Sequence, residues 1–448
     1  MRKHDDGSLC LPECDLACCG AARRRILAAP AFGQGKAAPA AKPAAAPTQA
    51  APALPAQTVK IAFIDPLSGP FAGVGTNLLR HFQFMADIVN AEQLAGPGIK
   101  FEIVPFDNKA SPQESLTVLK QVIDQGIRFV TQGNGSGAAL ALIDAIEKHN
   151  ERNPAQSIVF LNYAAVDPDL TNSKCSFWHF RFDANTDMKM EALTAYIKDR
   201  PEVKNVFLIN QNYSHGQQVS RVAKEMLAQK RPDVKIVGDD LHPLGQVRDF
   251  SPYIAKMRAS NADTIITGNW GPDLALLVRA ARDAGLNANF YTYYAGVIGT
   301  PTAIGAAGEN RIRQVSYWHP NIVPGYPYEK MAQDFKKRFN EEWYTVASFT
   351  GLTLLAEGIK RAKSTDPMKV AYAMEGVKLT VPHGEIEMRA SDHQLLQPLW
   401  IASWTKVGGP NKHDIEKTGY TWKTEVAYPT YVASQPTSCQ MKRPARAQ

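Results

Sequence analysis

The chain has 448 residues, of which 44% are hydrophobic and 21% charged, and its formal net charge is +7. Because one hydrophobic core stops growing near roughly 250 to 300 residues, this length predicts at least two lobes. The positive charge is small and scattered, which argues against nucleic acid as a partner, and no run of about 18 apolar residues is present to span a bilayer.

Residues 1–57 differ in composition from the rest. An arginine cluster and a short apolar stretch precede Ala29-Pro30-Ala31, which resembles a signal cleavage site, and a Pro/Ala-rich tract follows. The apolar stretch is much shorter than the roughly 7 to 15 residues of a complete signal core. We therefore interpret 1–57 as a degenerate export signal plus linker; a cytoplasmic protein with a disordered head is the alternative. The cysteines in this segment lack the spacing of a zinc site, so no metal is predicted.

From residue 58 onward, apolar runs of strand length alternate with segments of helical period, the pattern of parallel sheets built from βαβ units. The predicted strands are 58–64, 99–106, 127–131, 157–162, 177–182, 205–210, 234–239, 263–268 and 289–294. The predicted helices include 76–90, 137–149, 186–199, 216–229, 251–259 and 272–284. This order predicts an α/β fold with two doubly wound, Rossmann-like lobes. Further helices near 328–340, 345–363 and 368–375 and then two β-like segments indicate that the chain crosses back between the lobes.

The turn "GNGSGAALA" between a strand and a helix has the spacing of a dinucleotide-binding loop. The next strand ends in Asn162 instead of the required acid, no lysine follows for a P-loop, and the glycines do not flank Ser136 as in a hydrolase elbow. With no catalytic constellation, we predict no enzyme activity and no cofactor. A helix start with small residues and a hydroxyl suits a carboxylate, although the glycines could merely allow a tight turn.

Several blocks together, among them "IAFIDPLSGPFAGVG", "LNYAAVDPDLT", "NQNYSHGQQV" and "ADTIITGNWGPDLALL", resemble the periplasmic solute-binding proteins of ABC importers, of the leucine/isoleucine/valine-binding type. The resemblance covers about residues 58 to 427. It implies two lobes joined by a three-strand hinge, with a small ligand held between them and closure presenting a surface to a permease in the inner membrane. A periplasmic, monomeric protein is expected.

The same resemblance gives the expected domain limits. Residues 58–183 form the first part of lobe 1, and 184–317 form the first part of lobe 2. Residues 318–385 return to lobe 1, and 386–448 return to lobe 2 and end in a tail. The hinge passages are then expected near Arg181–Ala184, Tyr317–Asn321 and His383–Glu387.

By the same resemblance, Ser136 and the adjacent Gly135 would hold a ligand carboxylate together with backbone groups of Ala164 and Val166. The family often has a hydroxyl residue at the position of Val166. Aromatic residues of lobe 2 would close over the ligand, and other apolar residues would line its pocket. The closing residues are Tyr213 and Trp270; the alternatives are a surface position for Tyr213 and a packing role for Trp270. The pocket residues are Phe71, Val74, Tyr163, Trp270 and Tyr294.

Amino-acid binders of the family place an acid in the block that here reads "YYAGV", where this chain has Ala295. An ammonium buried without a partner would cost several kcal/mol, so we predict a carboxylate ligand without an amino group, aromatic or branched. A branched-chain amino acid remains the alternative if Asp167, Asp273 or another carboxylate substitutes. A ligand-sensing receptor module and a nicotinamide-dependent enzyme are alternatives from other classes.

Only Cys175 and Cys439 lie beyond the N-terminal segment. In an oxidising compartment two such cysteines can form one disulfide, which would tie the tail to the first lobe. The alternative is a buried thiol and a separate tail thiol.

Overall fold

The first lobe is a parallel sheet whose strands alternate with amphipathic helices. The structure is a computed structural model that describes residues 54–322, 327–430 and 434–446. The elements are β1 (Gln57–Asp65), α1 (Ala72–Ala91), β2 (Ile99–Asp107), α2 (Pro112–Asp124), β3 (Phe129–Gln132), α3 (Ser136–Arg152), β4 (Val159–Asn162) and β5 (His179–Arg181). The strand order is β2-β1-β3-β4-β5. Strands β3 and β4 are buried along their whole length, as expected for a parallel sheet covered on both faces.

The second lobe repeats the alternation. Its first elements are α4 (Thr186–Lys198), β6 (Asn205–Gln211), α5 (Ser214–Lys230), β7 (Lys235–His242), α6 (Ser251–Ala259), β8 (Thr264–Thr267), α7 (Gly271–Asp283), β9 (Asn289–Thr292), α8 (Thr300–Ile304) and β10 (Ile312–Ser316). The five strands pair in parallel. The predicted α/β fold with two doubly wound lobes is therefore confirmed. The predicted export signal lies outside the described residues.

The rest of the chain divides between the lobes. The elements are α9 (Pro327–Phe339), α10 (Ala347–Ala362), α11 (Pro367–Met374), β11 (Lys378–Val381), β12 (Gly384–Met388), β13 (Leu395–Leu396), β14 (Leu399–Lys406) and β15 (Tyr420–Tyr428). Helix α10 packs on α1, and β11-β12-β13 form a small sheet of their own. Strands β14 and β15 extend the second sheet antiparallel, giving the order β15-β14-β10-β9-β8-β6-β7.

The third passage between the lobes differs from the expected position at His383–Glu387. Strands β11 and β12 form a tight hairpin in which Gly384 has φ +126°. Gln394, just before β13, bridges to Arg181 of the first sheet. The chain therefore stays with the first lobe until the short link from β13 to β14. In "VKLTVPHGEIEMR" the apolar alternation changes phase across Pro382-His383-Gly384, and this break marks the tip of the hairpin.

The C-terminal tail lies on the first lobe. Cys175 and Cys439 form a disulfide. Near it, the Thr437 hydroxyl donates to the Thr171 carbonyl at 3.0 Å. The tail is thus fixed to the first lobe by a covalent bond and by hydrogen bonds. Within the three described ranges, no helix combines the length and apolar character that a membrane span requires.

Candidate functional site

A cleft lies where the carboxyl ends of strands from both sheets face each other, the usual place for a ligand in open α/β folds. It contains about 740 Å³ of space, part of it open to solvent. The first lobe contributes Val74, Leu78, Gly133 to Ser136, Tyr163 to Val166, Tyr344 and Thr345. The second lobe and the hinge contribute Asp183, Lys189, Tyr213, Trp270, Tyr293, Tyr294, Gly296, Val297 and Gln314 to Tyr317. Apart from Ala295 and Phe71, every residue predicted to hold or enclose the ligand is therefore at the cleft wall.

The glycine turn positions Ser136 at the first residue of α3. Gly135 has φ +99°, a backbone conformation that residues with a side chain rarely adopt. This conformation lets the chain turn sharply from strand into helix. The first hydrogen bonds of the helix run from Ala138 and Ala139 to the Gly135 carbonyl at 3.1 Å. The N–H groups of Ser136 and Gly137 therefore have no acceptor within the helix. Together with the buried Ser136 hydroxyl they form the cradle, a cluster of donors at a helix N-terminus.

A buried polar group supports the cradle from below. Tyr163 donates its hydroxyl to Asp65 Oδ2, and the Asn134 N–H donates to Asp65 Oδ1 at 2.9 Å. Burial raises the pKa of Asp65 to about 7. A Cβ on Gly133 would lie 2.5 Å from the Tyr163 ring, so only glycine allows this ring to pack under the turn. Tyr163 is thereby fixed as one wall of the cleft.

The loop after β4 supplies the other side of the cradle. The Ala164 N–H donates to Asn162 Oδ1 at 3.2 Å, so this predicted donor is already engaged within its own turn. The Val166 carbonyl accepts from both the N–H and the hydroxyl of Thr186 at 2.9 Å. Ser136 Oγ accepts from the Asp167 N–H at 3.3 Å, which leaves the serine proton available to donate. The serine and the helix start are thus the main donors here.

Aromatic residues of the second lobe face the cradle. Trp270 Nε1 donates to the Tyr213 hydroxyl at 2.9 Å, which orients the two rings relative to each other. Phe71 of the first lobe packs against Trp270 with ring centroids 4.3 Å apart. Phe71, which the sequence places in the pocket, does not line the cleft. Its contact with Trp270 instead connects the first lobe to the second. The lobes are therefore in contact on this side of the site.

Ala295 lies elsewhere than expected. It is fully buried in the core of the second lobe, and its neighbours Tyr294 and Gly296 line the cleft instead. A Cβ on Gly296 would lie 2.8 Å from Gln314 Oε1, so the neutral amide of Gln314 occupies the space beside this glycine. Neither position carries an acid. Ala295, which stands where amino-acid binders carry an acid, therefore does not line the cleft, because the turn directs its side chain inward.

Asp167 and Asp273, the two candidate substitutes for the missing acid, are not at the cleft wall. Asp167 accepts from the Asp169 N–H at 3.0 Å. Asp273 accepts from Gln211 Nε2 and from the Gly245 N–H, each at 2.8 Å. Both carboxylates are thus used to hold local backbone and side-chain geometry.

The sequence did not reveal an ion pair at the cleft wall. Asp183 in the first hinge passage and Lys189 on α4 are buried, with their charged atoms 2.8 Å apart. Burial raises the pKa of Asp183 and lowers that of Lys189. A single lysine in a helical pattern normally indicates a solvated face, and only the packing of α4 under the hinge shows otherwise. In the part of the chain that the structure describes, no cluster of His, Cys, Asp and Glu suits a metal ion.

The comparisons with known proteins agree with this architecture. The family model described as periplasmic binding protein matches residues 58–410, so the chain belongs to that family. It is of the branched-chain amino acid type of ABC-transporter solute-binding proteins. The Leu/Ile/Val-binding protein homolog 4 of Brucella abortus (strain 2308) is 32% identical over 397 residues, covering 87% of this chain and 94% of the relative.

Two solved structures show the same fold. The leucine-, isoleucine-, valine-, threonine-, and alanine-binding protein from Brucella ovis, in a closed conformation, is 30% identical with a TM-score of 0.76, covering 87% of this chain and all of the other. The solute-binding protein of an ABC transporter from Rhodopseudomonas palustris BisB5, in complex with 3,4-dihydroxy benzoic acid, is 17% identical with a TM-score of 0.72, covering 83% and 98%. These relatives are solute-binding proteins, not enzymes.

Proposed function

We propose that this protein is the periplasmic solute-binding component of an ABC importer and captures a carboxylic acid without an amino group. The favoured ligands are aromatic or branched acids. The hydroxyl of Ser136 and the start of α3 would receive the carboxylate, and the rings of Tyr163, Tyr213 and Trp270 would enclose the apolar part. Closure of the two lobes would then present the loaded protein to a permease in the inner membrane.

The observation that carries this proposal is the cradle without an opposing free acid. The cradle offers neutral donors, which suit one negative charge. On the opposite wall, Gly296 has no side chain and Gln314 is neutral. Asp183, the one acid among the described lining residues, is already paired with Lys189. A ligand ammonium would therefore lose its hydration without gaining a full countercharge, at a cost of several kcal/mol.

A branched-chain amino acid is the second candidate. It is favoured by the relatives, whose names specify leucine, isoleucine and valine. For such a ligand the ammonium would have to approach Asp183 beside the Lys189 ammonium. Two cations around one carboxylate repel each other, which is why we rank this candidate second.

A matched pair of ligands separates the candidates. Leucine and 4-methyl-2-oxopentanoate share one carbon skeleton. They differ only at the second carbon, which carries an ammonium group in leucine and a keto oxygen in the other acid. Isothermal titration calorimetry at pH 7.5, on protein freed of bound small molecules, should show tighter binding of the keto acid, or of benzoate or phenylacetate, than of leucine. Leucine bound at micromolar affinity with these acids inert would overturn the proposal. Mass spectrometry of the molecule released from native protein gives an independent answer, and an organic cofactor would instead favour an enzyme.

A further inference from the structure

Asp183 and Lys189 form a buried ion pair at the cleft wall. The side chains are 1% and 2% exposed, and both line the cleft. Lys189 Nζ donates to Asp183 Oδ2 at 2.9 Å and lies 2.8 Å from Oδ1. The pair joins the hinge passage to the first turn of α4. This position, at the boundary of hinge and second lobe, brings the pair to the cleft wall.

One oxygen of this pair is unsatisfied. Asp183 Oδ1 is buried and makes no hydrogen bond in the described structure, because its contact with Lys189 has ion-pair distance without hydrogen-bond geometry. The Lys189 ammonium offsets the charge of this oxygen, and what the oxygen lacks is a directed hydrogen-bond donor. Lys189 has three N–H donors, and its contact with the Tyr294 hydroxyl, at 3.4 Å, is long for a hydrogen bond. The pair therefore has an acceptor and a donor to offer to the cleft.

We propose that the Asp183–Lys189 pair selects a hydroxyl group on the ligand, which donates to Asp183 Oδ1 and accepts from Lys189 Nζ. This inference rests on the proposed function and narrows it to a hydroxylated aromatic or branched carboxylic acid. The carboxylate lies in the cradle, and the hydroxyl lies at the hinge. No bond is made or broken.

A hydroxyl fits this pair better than a second charge. Asp183 and Lys189 are the only charged side chains among the described residues that line the cleft, and together they are neutral. A second carboxylate would meet Asp183, and an ammonium would meet Lys189, each without a countercharge of its own. A hydroxyl brings no charge and supplies both a donor and an acceptor. A site built to hydrogen-bond a hydroxyl also rejects the analogue without it strongly, because its polar groups then stay unpaired.

The surroundings favour a ring as the carrier of the hydroxyl. Lys189 Nζ lies 4.4 Å from the centroid of the Tyr294 ring and 5.7 Å from that of Tyr317. These rings hold the lysine in place, and both belong to residues that line the cleft. An aromatic acid could stack there while its hydroxyl reaches the ion pair. A branched hydroxy acid would fill the same space less completely.

Calorimetry on the unaltered full-length protein tests this without any substitution. The probes are benzoate, 3-hydroxybenzoate, 4-hydroxybenzoate, terephthalate and 4-(aminomethyl)benzoate, with 4-methylpentanoate and 2-hydroxy-4-methylpentanoate as the branched pair. We expect at least one hydroxy acid to bind more than about tenfold tighter than its parent, and the two doubly charged probes to bind no better than benzoate. Parent acids that bind as tightly as every hydroxy acid would overturn the inference and leave the proposed function intact. Failure of all these acids while leucine binds would overturn both, whereas tighter binding of terephthalate than of any hydroxy acid would overturn the inference alone.

A paired substitution localises the effect. The double variant Asp183→Leu/Lys189→Met replaces the ion pair by apolar groups, an exchange that folded proteins often tolerate. We expect it to bind parent and hydroxy acids within about threefold of each other. The control Glu191→Leu/Lys230→Met removes another ion pair, whose charged atoms are 2.6 Å apart. Glu191 also lies on α4, but this pair is outside the cleft. It should keep the full preference, and a control that lost the preference equally would overturn the assignment to Asp183 and Lys189.

Discussion

Replacement of Ser136 by alanine should weaken ligand binding without abolishing it. The substitution removes one buried hydroxyl, 3% exposed, and leaves the N–H groups at the start of α3 in place. Because keto, hydroxy and amino acids all carry a carboxylate, the prediction holds for each of these ligand classes alike. It therefore tests the cradle independently of the rest of the ligand.

The expected magnitude follows from the kind of hydrogen bond that is lost. A bond to a charged group contributes about 1.5–3 kcal/mol. Since each 1.4 kcal/mol is a factor of ten, the dissociation constant should rise about 10- to 150-fold. Ser136 Oγ also accepts from the Asp167 N–H at 3.3 Å, so a small loss of stability is expected in addition.

Isothermal titration calorimetry at 25 °C with the tightest-binding acid measures this change directly. Ser251→Ala is the matched control, because Ser251 also begins a helix but is exposed and lies outside the cleft. Circular dichroism should show that both variants are folded at the assay temperature. Binding by the Ser136→Ala variant within twofold of the unaltered protein would refute the role of this serine, as would an equal loss in the control.

Three further predictions concern stability. The variant Cys175→Ser/Cys439→Ser should lose about 2–4 kcal/mol of unfolding free energy in denaturant titrations; dithiothreitol should then destabilise only the unaltered protein, and equal sensitivity of the two would contradict the disulfide. Gly133→Ala should cost about 1–3 kcal/mol by overpacking against Tyr163, whereas Gly408→Ala, with nothing within 4 Å of the new Cβ, should be nearly neutral in thermal melts. The pKa of Asp65 is raised from 3.8 to about 7 in the folded protein, so the folded protein binds this proton more tightly than the unfolded chain does. The contribution of the protonated Asp65 to stability therefore falls as the pH rises from about 4 through 7. Asp65→Asn should remove this slope, and a variant whose stability difference from the parent is the same at pH 5 and pH 8 would show that Asp65 is not its source.

The lobes and the cradle could be predicted from the sequence because their signals are local. Strand and helix periods specify each βαβ unit, and the turn before α3 shows its glycines and its serine in consecutive positions. The resemblance to a family then added the long-range arrangement of the two lobes. Aromatic residues such as Trp270 were placed at the cleft by the same resemblance.

The features that the sequence did not predict depend on distant parts of the chain. Asp183 and Lys189 are ordinary residues until the hinge buries them against each other. The turn that contains Ala295 does reach the cleft, but the direction of one side chain in a turn has no signal in composition or period. The turn at Pro382-His383-Gly384 does interrupt the alternation, but a local turn signal does not tell which lobe the following strand joins. The direction of these side chains and the lobe that each strand joins thus depend on the folded chain as a whole.

The disulfide between Cys175 and Cys439 has a consequence for how the molecule can be anchored. The described body begins with β1 in the first lobe, and its C-terminal tail is bonded back to that same lobe. A described body held at either end is therefore held through the first lobe, and closure of the kind we propose would move the second lobe. A fluorescent label on the exposed face of α6 should therefore report ligand capture equally well from a bead attached at either end.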